Sequence, residues 1–205
     1  MKQVHKHLEL SRTKVVNNIL KIWALASDAD KYDWYQEAHD FSLAIARASG
    51  CTTSQACGII AALSPMKLWE LNKRIALEFA LHQTANVHTK VFIDKARRIL
   101  TASSDEEILN ILHGAKLQAF YLNLRYPEKA ISLTIDRHAL SVALGHWITP
   151  EEYTGMTVKQ YQFFSDCYRH AAAKLAVNPL YVQSVTWLVW RRVKTSYPLI
   201  QKQLW

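Results

Sequence analysis

The hydrophobic positions of this chain recur at steps of three and four residues along almost its whole length. This spacing places apolar side chains on one face of an α-helix, whereas the strict alternation typical of a strand is nearly absent. Prolines, glycines and helix-capping residues divide the pattern into ten predicted helices. These cover residues 11–26, 30–50, 53–63, 68–82, 89–100, 104 to the turn at 114, 116–125, 136–144, 157–176 and 179–195. We therefore predict an all-α fold.

The third predicted helix, which Thr53 or Ser54 would cap, differs from the others because it is apolar on nearly every side. A helix without a polar face is expected to lie in the middle of a domain. No repeat, low-complexity tract or long linker interrupts the helical pattern. We therefore expect a single all-α domain over residues 1–205, with two helical lobes and a cleft between them as the alternative organisation.

Composition and charge narrow the class of protein. The 205 residues are 50% hydrophobic with only 5 Gly and 5 Pro, which excludes a disordered or collagen-like chain. The net charge is +8, and residues 153–205 carry seven basic side chains against one acidic side chain, Asp166. A basic end of this kind favours a polyanionic partner, and we expect DNA. The alternative is a moderately basic protein that has no such partner.

The cysteines and the hydropathy pattern exclude several further classes. Cys51, Cys57 and Cys167 are too few for a disulfide framework, and they cannot supply the four thiolates of an iron–sulfur cluster. The first fourteen residues are polar and basic, without the apolar stretch of a signal peptide. No apolar run approaches the roughly 18 residues that are needed to span a membrane. We therefore expect a cytoplasmic protein that does not contact membranes.

One stretch, residues 111–143, holds the most specific pattern of the chain. A glycine turn precedes a lysine at the start of a helix, and an aspartate follows the lysine by 20 residues, where an apolar run meets the next helix. The residues of the pattern are Leu112, Gly114, Lys116, Phe120 and Asn123, followed by Ile135, Asp136 and His138. This pattern resembles the catalytic centre of the helix-hairpin-helix DNA glycosylases, the endonuclease III-like superfamily. The resemblance covers about residues 55–145 and is strong only across 111–143.

The resemblance implies a fold, an activity and two catalytic residues. It implies a glycosylase-like helical fold. It also implies an enzyme that flips a base out of DNA and cleaves the N-glycosidic bond of that base without a metal or an organic cofactor. Cleavage of this bond puts positive charge on the sugar, which a nearby carboxylate stabilises. Asp136 is expected to supply that carboxylate. Lys116 is expected either to attack the sugar or to hold a phosphate.

Each of these two residues also has an ordinary structural reading. Asp136 begins a predicted helix, and aspartate is a frequent N-cap. Lys116 lies in the first turn of a helix, where most lysines are simply solvated. The 20-residue separation and the glycine turn favour the active-site interpretation. Gly114 lets the backbone turn tightly and approach a ligand closely.

Further residues are assigned to substrate or DNA by their positions relative to this centre. Asn123 shares a helical stripe with Lys116 and would orient a substrate or a water, with a helix-packing amide as its alternative. His138 follows Asp136 by two positions, so it is expected to pack or support rather than to catalyse. In the turn after the third helix, Met66 would fill the gap left by a flipped base.

The remaining assignments concern contacts with the DNA backbone and bases. Lys67 would contact a phosphate, and the ring of Trp69 would form a wall on which a base stacks. Near the C-terminus, Arg191 and Arg192 would follow a DNA backbone, together with Trp187, Trp190 and Lys194. The alternatives are ordinary core or surface roles and, for the arginines, compensation of the helix dipole.

The chain departs from the family pattern at the hairpin, where Leu112-His113-Gly114, followed by Ala115 and Lys116, is shorter by two residues than the usual Leu-Pro-Gly-Val-Gly. The shorter hairpin offers a phosphate fewer backbone amides. It resembles a divergent branch found in bacteriophages and in phage defence, whose members act on hypermodified bases such as glucosylated hydroxymethylcytosine. Two other functions stay open: an enzyme of phage base hypermodification that acts on a thymine derivative, and a catalytically dead helical DNA-binding module.

Overall fold

A computed structural model describes residues 11–85, 89–129 and 132–193 of the chain. Within these ranges the protein contains ten α-helices and two 3-10 helices, and no strand, so the predicted all-α class is confirmed. The α-helices are α1 (Arg12–Ala24), α2 (Trp34–Ser49), α3 (Thr53–Leu63), α4 (Trp69–His82), α5 (Lys90–Ile99), α6 (Asp105–Leu112), α7 (Ala115–Arg125), α8 (Arg137–Leu144), α9 (Val158–Leu175) and α10 (Pro179–Val193). The 3-10 helices cover Asp28–Asp30 and Pro127–Lys129.

The chain divides into two units. Unit 1 contains residues 1–34 and 133–205, and unit 2 contains residues 35–132. The first unit is therefore built from both ends of the chain, and the second is inserted between them.

Helix α3 is the centre of unit 2, as its apolar composition predicts. It packs against α4, α5, α6 and α7, and its residues from Ala56 to Leu63 are all buried. Gly58 permits the closest of these approaches, because an added Cβ would lie 2.8 Å from Cγ2 of Ile99 and 2.9 Å from Cγ2 of Ile108. A side chain at this position would therefore separate α3 from α5 and α6.

Unit 1 is a cluster of four helices, in which α1, α8, α9 and α10 contact one another. The fully buried Trp190 of α10 belongs to its core. Two hydrogen bonds connect α1 and α9 to α8. The Asn18 amide donates to the Ala143 carbonyl at 3.0 Å, and the Tyr168 hydroxyl donates to the Ala139 carbonyl at 3.0 Å. Helix α8 is therefore fixed from two sides.

Two predicted helix starts are wrong. Asp30 does not begin α2, because its carboxylate accepts hydrogen bonds from the backbone N–H and the hydroxyl of Ser27, at 2.8 and 2.7 Å, and closes a 3-10 helix instead. The cap of α3 is Thr52 rather than Thr53 or Ser54, because the Thr52 hydroxyl accepts from the backbone N–H of Gln55 at 3.1 Å. The expected end of the last helix, near residue 195, lies outside the described residues.

Candidate functional site

The hairpin predicted around Gly114 is a two-residue turn between α6 and α7, which pack against each other. Both turn residues have positive φ, +48° at His113 and +81° at Gly114. A Cβ added to Gly114 would meet nothing within 4 Å. The glycine is therefore required for the backbone conformation, and the space beside it is open.

Two side chains of unit 2 hold the hairpin from the side of α6. Lys95 of α5 donates its ammonium group to the Leu112 carbonyl at 2.7 Å, and Gln118 donates its amide to the Leu109 carbonyl at 3.0 Å. The Leu112 carbonyl lies in the last turn of α6, where helical partners run out, and the Leu109 carbonyl also accepts from the backbone N–H of His113 at 3.3 Å. Burial, and next the charge of Arg98, hold the pKa of Lys95 below its usual value. Sequence analysis missed Lys95, because nothing local links it to a carbonyl 17 residues later.

Lys116 and Asn123 both lie on α7. Lys116 is the second residue of the helix and is half-buried. Asn123 is only 1% exposed, and its side-chain oxygen accepts a hydrogen bond from the Ser132 hydroxyl at 3.3 Å. Of the two roles expected for Asn123, the described contact is that of a packing amide.

The turn between α3 and α4 presents Met66 to solvent. Its side chain is 88% exposed and its φ is +59°, in the left-handed region that non-glycine residues seldom adopt. Lys67 follows it and is half-buried. Trp69 packs edge-on against Phe41 at 6.3 Å between ring centroids, and the Lys73 ammonium lies 5.7 Å from the Trp69 ring. Part of the Trp69 ring is thus covered within its own unit.

Asp136 is the N-cap of α8, as its structural reading predicts. One carboxylate oxygen, Oδ1, accepts the backbone N–H of Ala139 at 2.8 Å. The other, Oδ2, accepts the indole Nε1–H of Trp187 at 3.0 Å. The capping role therefore occupies one oxygen, and a side chain of α10 holds the other.

Aromatic side chains and an arginine surround the start of α8. The His138 ring lies 5.4 Å from the ring of Trp147 and 6.1 Å from that of Trp187. The guanidinium of Arg137 lies 4.6 Å from the Trp147 ring. His138 thus takes the packing role expected from its position two residues after Asp136.

Two tyrosines of unit 1 interact with Asp136 or with the residues just before it in the chain. Burial, and next the negative charge of Asp136, raise the pKa of Tyr153. The Tyr161 hydroxyl donates to the Leu133 carbonyl at 2.7 Å and accepts from the backbone N–H of Ile135 at 3.1 Å. A side chain of α9 therefore bonds to the backbone of two of the three residues before Asp136.

The two arginines predicted to follow DNA have different surroundings. The Arg191 guanidinium lies 4.6 Å from the Trp187 ring. Arg192 donates to the Asp30 carboxylate at 2.6 Å and to the Leu25 carbonyl at 3.1 Å. Burial opposes the charge of Asp30, but the bonds from Ser27 and Arg192 outweigh it and lower the pKa of Asp30. Arg192 is thus half of an ion pair within unit 1, and Lys194 lies outside the described residues.

The predicted site residues therefore fall into two groups. Unit 1 holds Asp136 at the start of α8, His138 on α8, and Arg191 and Arg192 on α10; the Trp187 ring contacts Asp136, His138 and Arg191. Unit 2 holds the rest of the group, namely Gly114, Lys116, Asn123, Met66, Lys67 and Trp69. The expected meeting of Lys116 with Asp136 links residues of different units and stays a prediction.

An open cavity of about 590 Å³ lies in unit 2 at the N-termini of α3 and α6, and none of these residues lines it. Several of its lining groups are already bonded: the Gln55 amide donates to the carbonyls of Leu100 and Ala102, and the Asp105 carboxylate accepts from two tyrosines. The Gln55 amide and the Asp105 carboxylate therefore stabilise the fold, and we assign no ligand to this cavity.

The residues that the structure describes also bear on two other kinds of site. No helix among them is long and apolar enough to cross a membrane. Within the same residues, no three His, Cys, Asp or Glu side chains are grouped to hold a metal ion.

Comparison with known proteins identifies a family but no activity. No curated protein and no solved structure matches this chain. A family model described as a family of unknown function, DUF7178, matches residues 1–194. Because that match spans far more than half of the chain, the protein belongs to the DUF7178 family.

Proposed function

We propose that the protein is a DNA glycosylase that extrudes a modified base from DNA and cleaves its N-glycosidic bond, leaving an abasic site. The observation that carries the proposal is the order of two structural features along the chain. A glycine-turned hairpin between α6 and α7 bears Lys116, and Asp136 follows as the N-cap of α8. The helix-hairpin-helix glycosylases, which the sequence of residues 111–143 resembles, have the same order of features.

The chemistry assigned to Asp136 is stabilisation of positive charge. Departure of the base leaves an oxocarbenium-like sugar, and a fixed carboxylate lowers the energy of that transition state. Two donors bond to Asp136, the Ala139 N–H and the Trp187 indole, and both are neutral. Neutral donors orient a carboxylate without cancelling its charge, which supports this role.

Lys116 is assigned to the nucleotide beside the extruded base. Its amine either attacks C1′ as the N-glycosidic bond to the base breaks, after which the C1′–O4′ bond opens to give a Schiff base, or its ammonium form binds a phosphate. Borohydride reduction separates these roles, because only the amine nucleophile yields a covalent protein–DNA adduct.

DNA is the partner in this proposal, and the cytoplasm is the compartment. The net charge of +8 favours a polyanion, and the 88% exposed Met66 side chain is suited to fill a vacated base stack. We assign glucosylated hydroxymethylcytosine of bacteriophage DNA as the substrate base, because the short hairpin resembles the branch that acts on such bases. The process served would be phage defence.

The proposal is tested by incubating the protein with phage genomic DNA that carries glucosylated hydroxymethylcytosine, with unmodified DNA as control, and counting abasic sites. Asp136→Asn is expected to abolish base release while DNA binding is retained. Asp166→Asn is the matched control, since Asp166 lies on α9 and accepts a bond from Gln162. Base release at the wild-type rate by Asp136→Asn would contradict the assignment. A base altered in mass without abasic sites would indicate the hypermodification enzyme instead.

A further inference from the structure

The indole of Trp187 reaches Asp136 from α10, 51 residues later in the chain, and its Nε1–H lies 3.0 Å from Oδ2. The other oxygen, Oδ1, is held 2.8 Å from the backbone N–H of Ala139. A carboxylate with a donor on each oxygen cannot rotate about its terminal torsion without breaking one bond. The plane and direction of the Asp136 carboxylate are therefore set by α8 and α10 together.

The Trp187 ring is itself held in place by three neighbours of unit 1. The Arg191 guanidinium, one helical turn later on α10, lies 4.6 Å from the ring centroid. The Trp34 ring is 6.0 Å away at a tilt of 51°, and the His138 ring meets Trp187 edge-on at 6.1 Å. An indole enclosed in this way directs its N–H along one line, so its bond to Asp136 is preorganised.

The chemical nature of the donor matters as much as its position. An arginine bonded to Asp136 would fix the carboxylate and at the same time offset the charge that the sugar cation requires. In unit 1 the nearby guanidinium of Arg191 lies over the Trp187 ring, and the group that bonds to Oδ2 is the neutral indole. The donor that fixes the orientation of the acid therefore adds no positive charge of its own.

From these contacts we propose that Trp187 is the positioning residue of Asp136, which it holds in the orientation that base release requires. The inference rests on the proposed function. It assigns to Trp187 a role distinct from DNA contact, and it predicts that the loss of one N–H group impairs the chemical step rather than the binding of DNA.

The decisive variant is Trp187→Phe, which retains a ring for Arg191, Trp34 and His138 but lacks the donor. On phage DNA with glucosylated hydroxymethylcytosine we expect kcat of base release to fall about 10- to 100-fold, because a misplaced catalytic group loses its effective concentration. KM is expected to stay within about twofold of the wild-type value, since the loss falls on the transition state. Trp23→Phe is the matched control, because Trp23 packs on Tyr181 in the same unit at 5.6 Å between ring centroids.

A second measurement does not require catalysis. In the ¹⁵N spectrum of the tryptophan indoles, the Trp187 signal is identified by its loss in Trp187→Phe. Asp136→Asn is expected to move this signal and to leave that of Trp23 in place, because a neutral acceptor replaces the charged one. A Trp187 signal that stays in place would overturn the inference.

The kinetic outcomes separate the two proposals. If the wild-type protein releases base and Trp187→Phe does so with unchanged kcat, the positioning role is wrong and the proposed function stands. A fall in kcat accompanied by an equal rise in KM would also contradict it, since that result indicates a general structural defect. If the wild-type protein releases no base from this DNA, the proposed function fails, and the role of Trp187 in catalysis fails with it.

Discussion

The Tyr121 hydroxyl donates a hydrogen bond to Oδ1 of Asp105 at 2.6 Å, and this bond joins the C-terminal half of α7 to the first residue of α6. Tyr126, which ends α7, donates to Oδ2 of the same carboxylate at 2.5 Å. The two helices of the hairpin are thus bonded at the ends far from the turn, as Gln118 and Leu109 are bonded near it. Asp105 is therefore a structural acid, and its charge is part of what holds the hairpin together.

Asp105 gives the first prediction, on the pH dependence of stability. Burial opposes its charge, but the hydrogen bonds from Tyr121 and Tyr126 outweigh burial and hold the pKa of Asp105 below its usual value. The folded-state pKa is thus below the unfolded-state pKa, so this stabilisation is complete above the unfolded value and is lost as the pH falls through the folded one. Asp105→Asn should lower the free energy of unfolding at pH 7 by about 1 kcal/mol, a low value because the acid is only partly buried.

The measurement is urea unfolding of both proteins between pH 7 and pH 2. The difference between wild type and Asp105→Asn should be constant near neutrality and should shrink in acid. Asp94→Asn is the control, because Asp94 pairs with Arg97 on the exposed face of α5 and should change the free energy of unfolding by less than about 0.5 kcal/mol. A difference that grows in acid would contradict the prediction.

The second prediction concerns the close packing at Gly58. Gly58→Ala should lower the free energy of unfolding by about 1–3 kcal/mol, because the new methyl group would press on the γ2 methyls of Ile99 and Ile108. The opposing gain from alanine's better helix propensity is only about 1 kcal/mol. Thermal and urea unfolding measure the balance.

A double-mutant cycle with Ile99→Ala identifies the cause. Truncating Ile99 makes room for the methyl group, so the two substitutions together should destabilise the protein by less than the sum of their separate effects. Additive effects would show that contact with Ile99 is not the source of the strain.

The third prediction concerns the reactivity of the cysteines. Burial raises the pKa of Cys57 and of Cys167 to about 11 each, and both side chains are fully buried. Since the thiolate is the reactive form, these two thiols should react slowly with an aromatic disulfide reagent at pH 8, whereas the half-exposed Cys51 should react quickly. We expect one fast thiol per native chain and three after unfolding in urea. Cys51→Ser should remove the fast phase, and a fast phase of more than one thiol would be inconsistent with this burial.

The fourth prediction concerns Lys116. In the phosphate-binding role the Lys116 ammonium neutralises one charge of the DNA, so Lys116→Gln should weaken binding and should reduce the slope of log affinity against log salt by about 1. Fluorescence anisotropy at several salt concentrations measures this slope. Lys129→Gln is the control, since the Lys129 ammonium lies 4.2 Å from the Tyr126 ring within unit 2. Equal slopes for wild type and Lys116→Gln would contradict a contact between Lys116 and a DNA phosphate.

The sequence by itself determined the helices and most of their ends. Ser104, Asp136 and Thr157 each accept a hydrogen bond from a backbone N–H three residues later, and the sequence predicts a helix start at each of them. Such signals depend on a few consecutive residues, so they can be read without knowledge of the fold. The turn at Gly114 and the central place of α3 were predicted for the same reason.

Only the tertiary structure decided what the side chains bond to. Arg192 pairs with Asp30 across 162 positions, so a side chain that was expected to follow DNA also forms an ion pair within unit 1. The bond from Trp187 to Asp136 likewise spans 51 positions. Partners so far apart in the chain are chosen by how whole helices pack, and local periodicity carries no information about that choice.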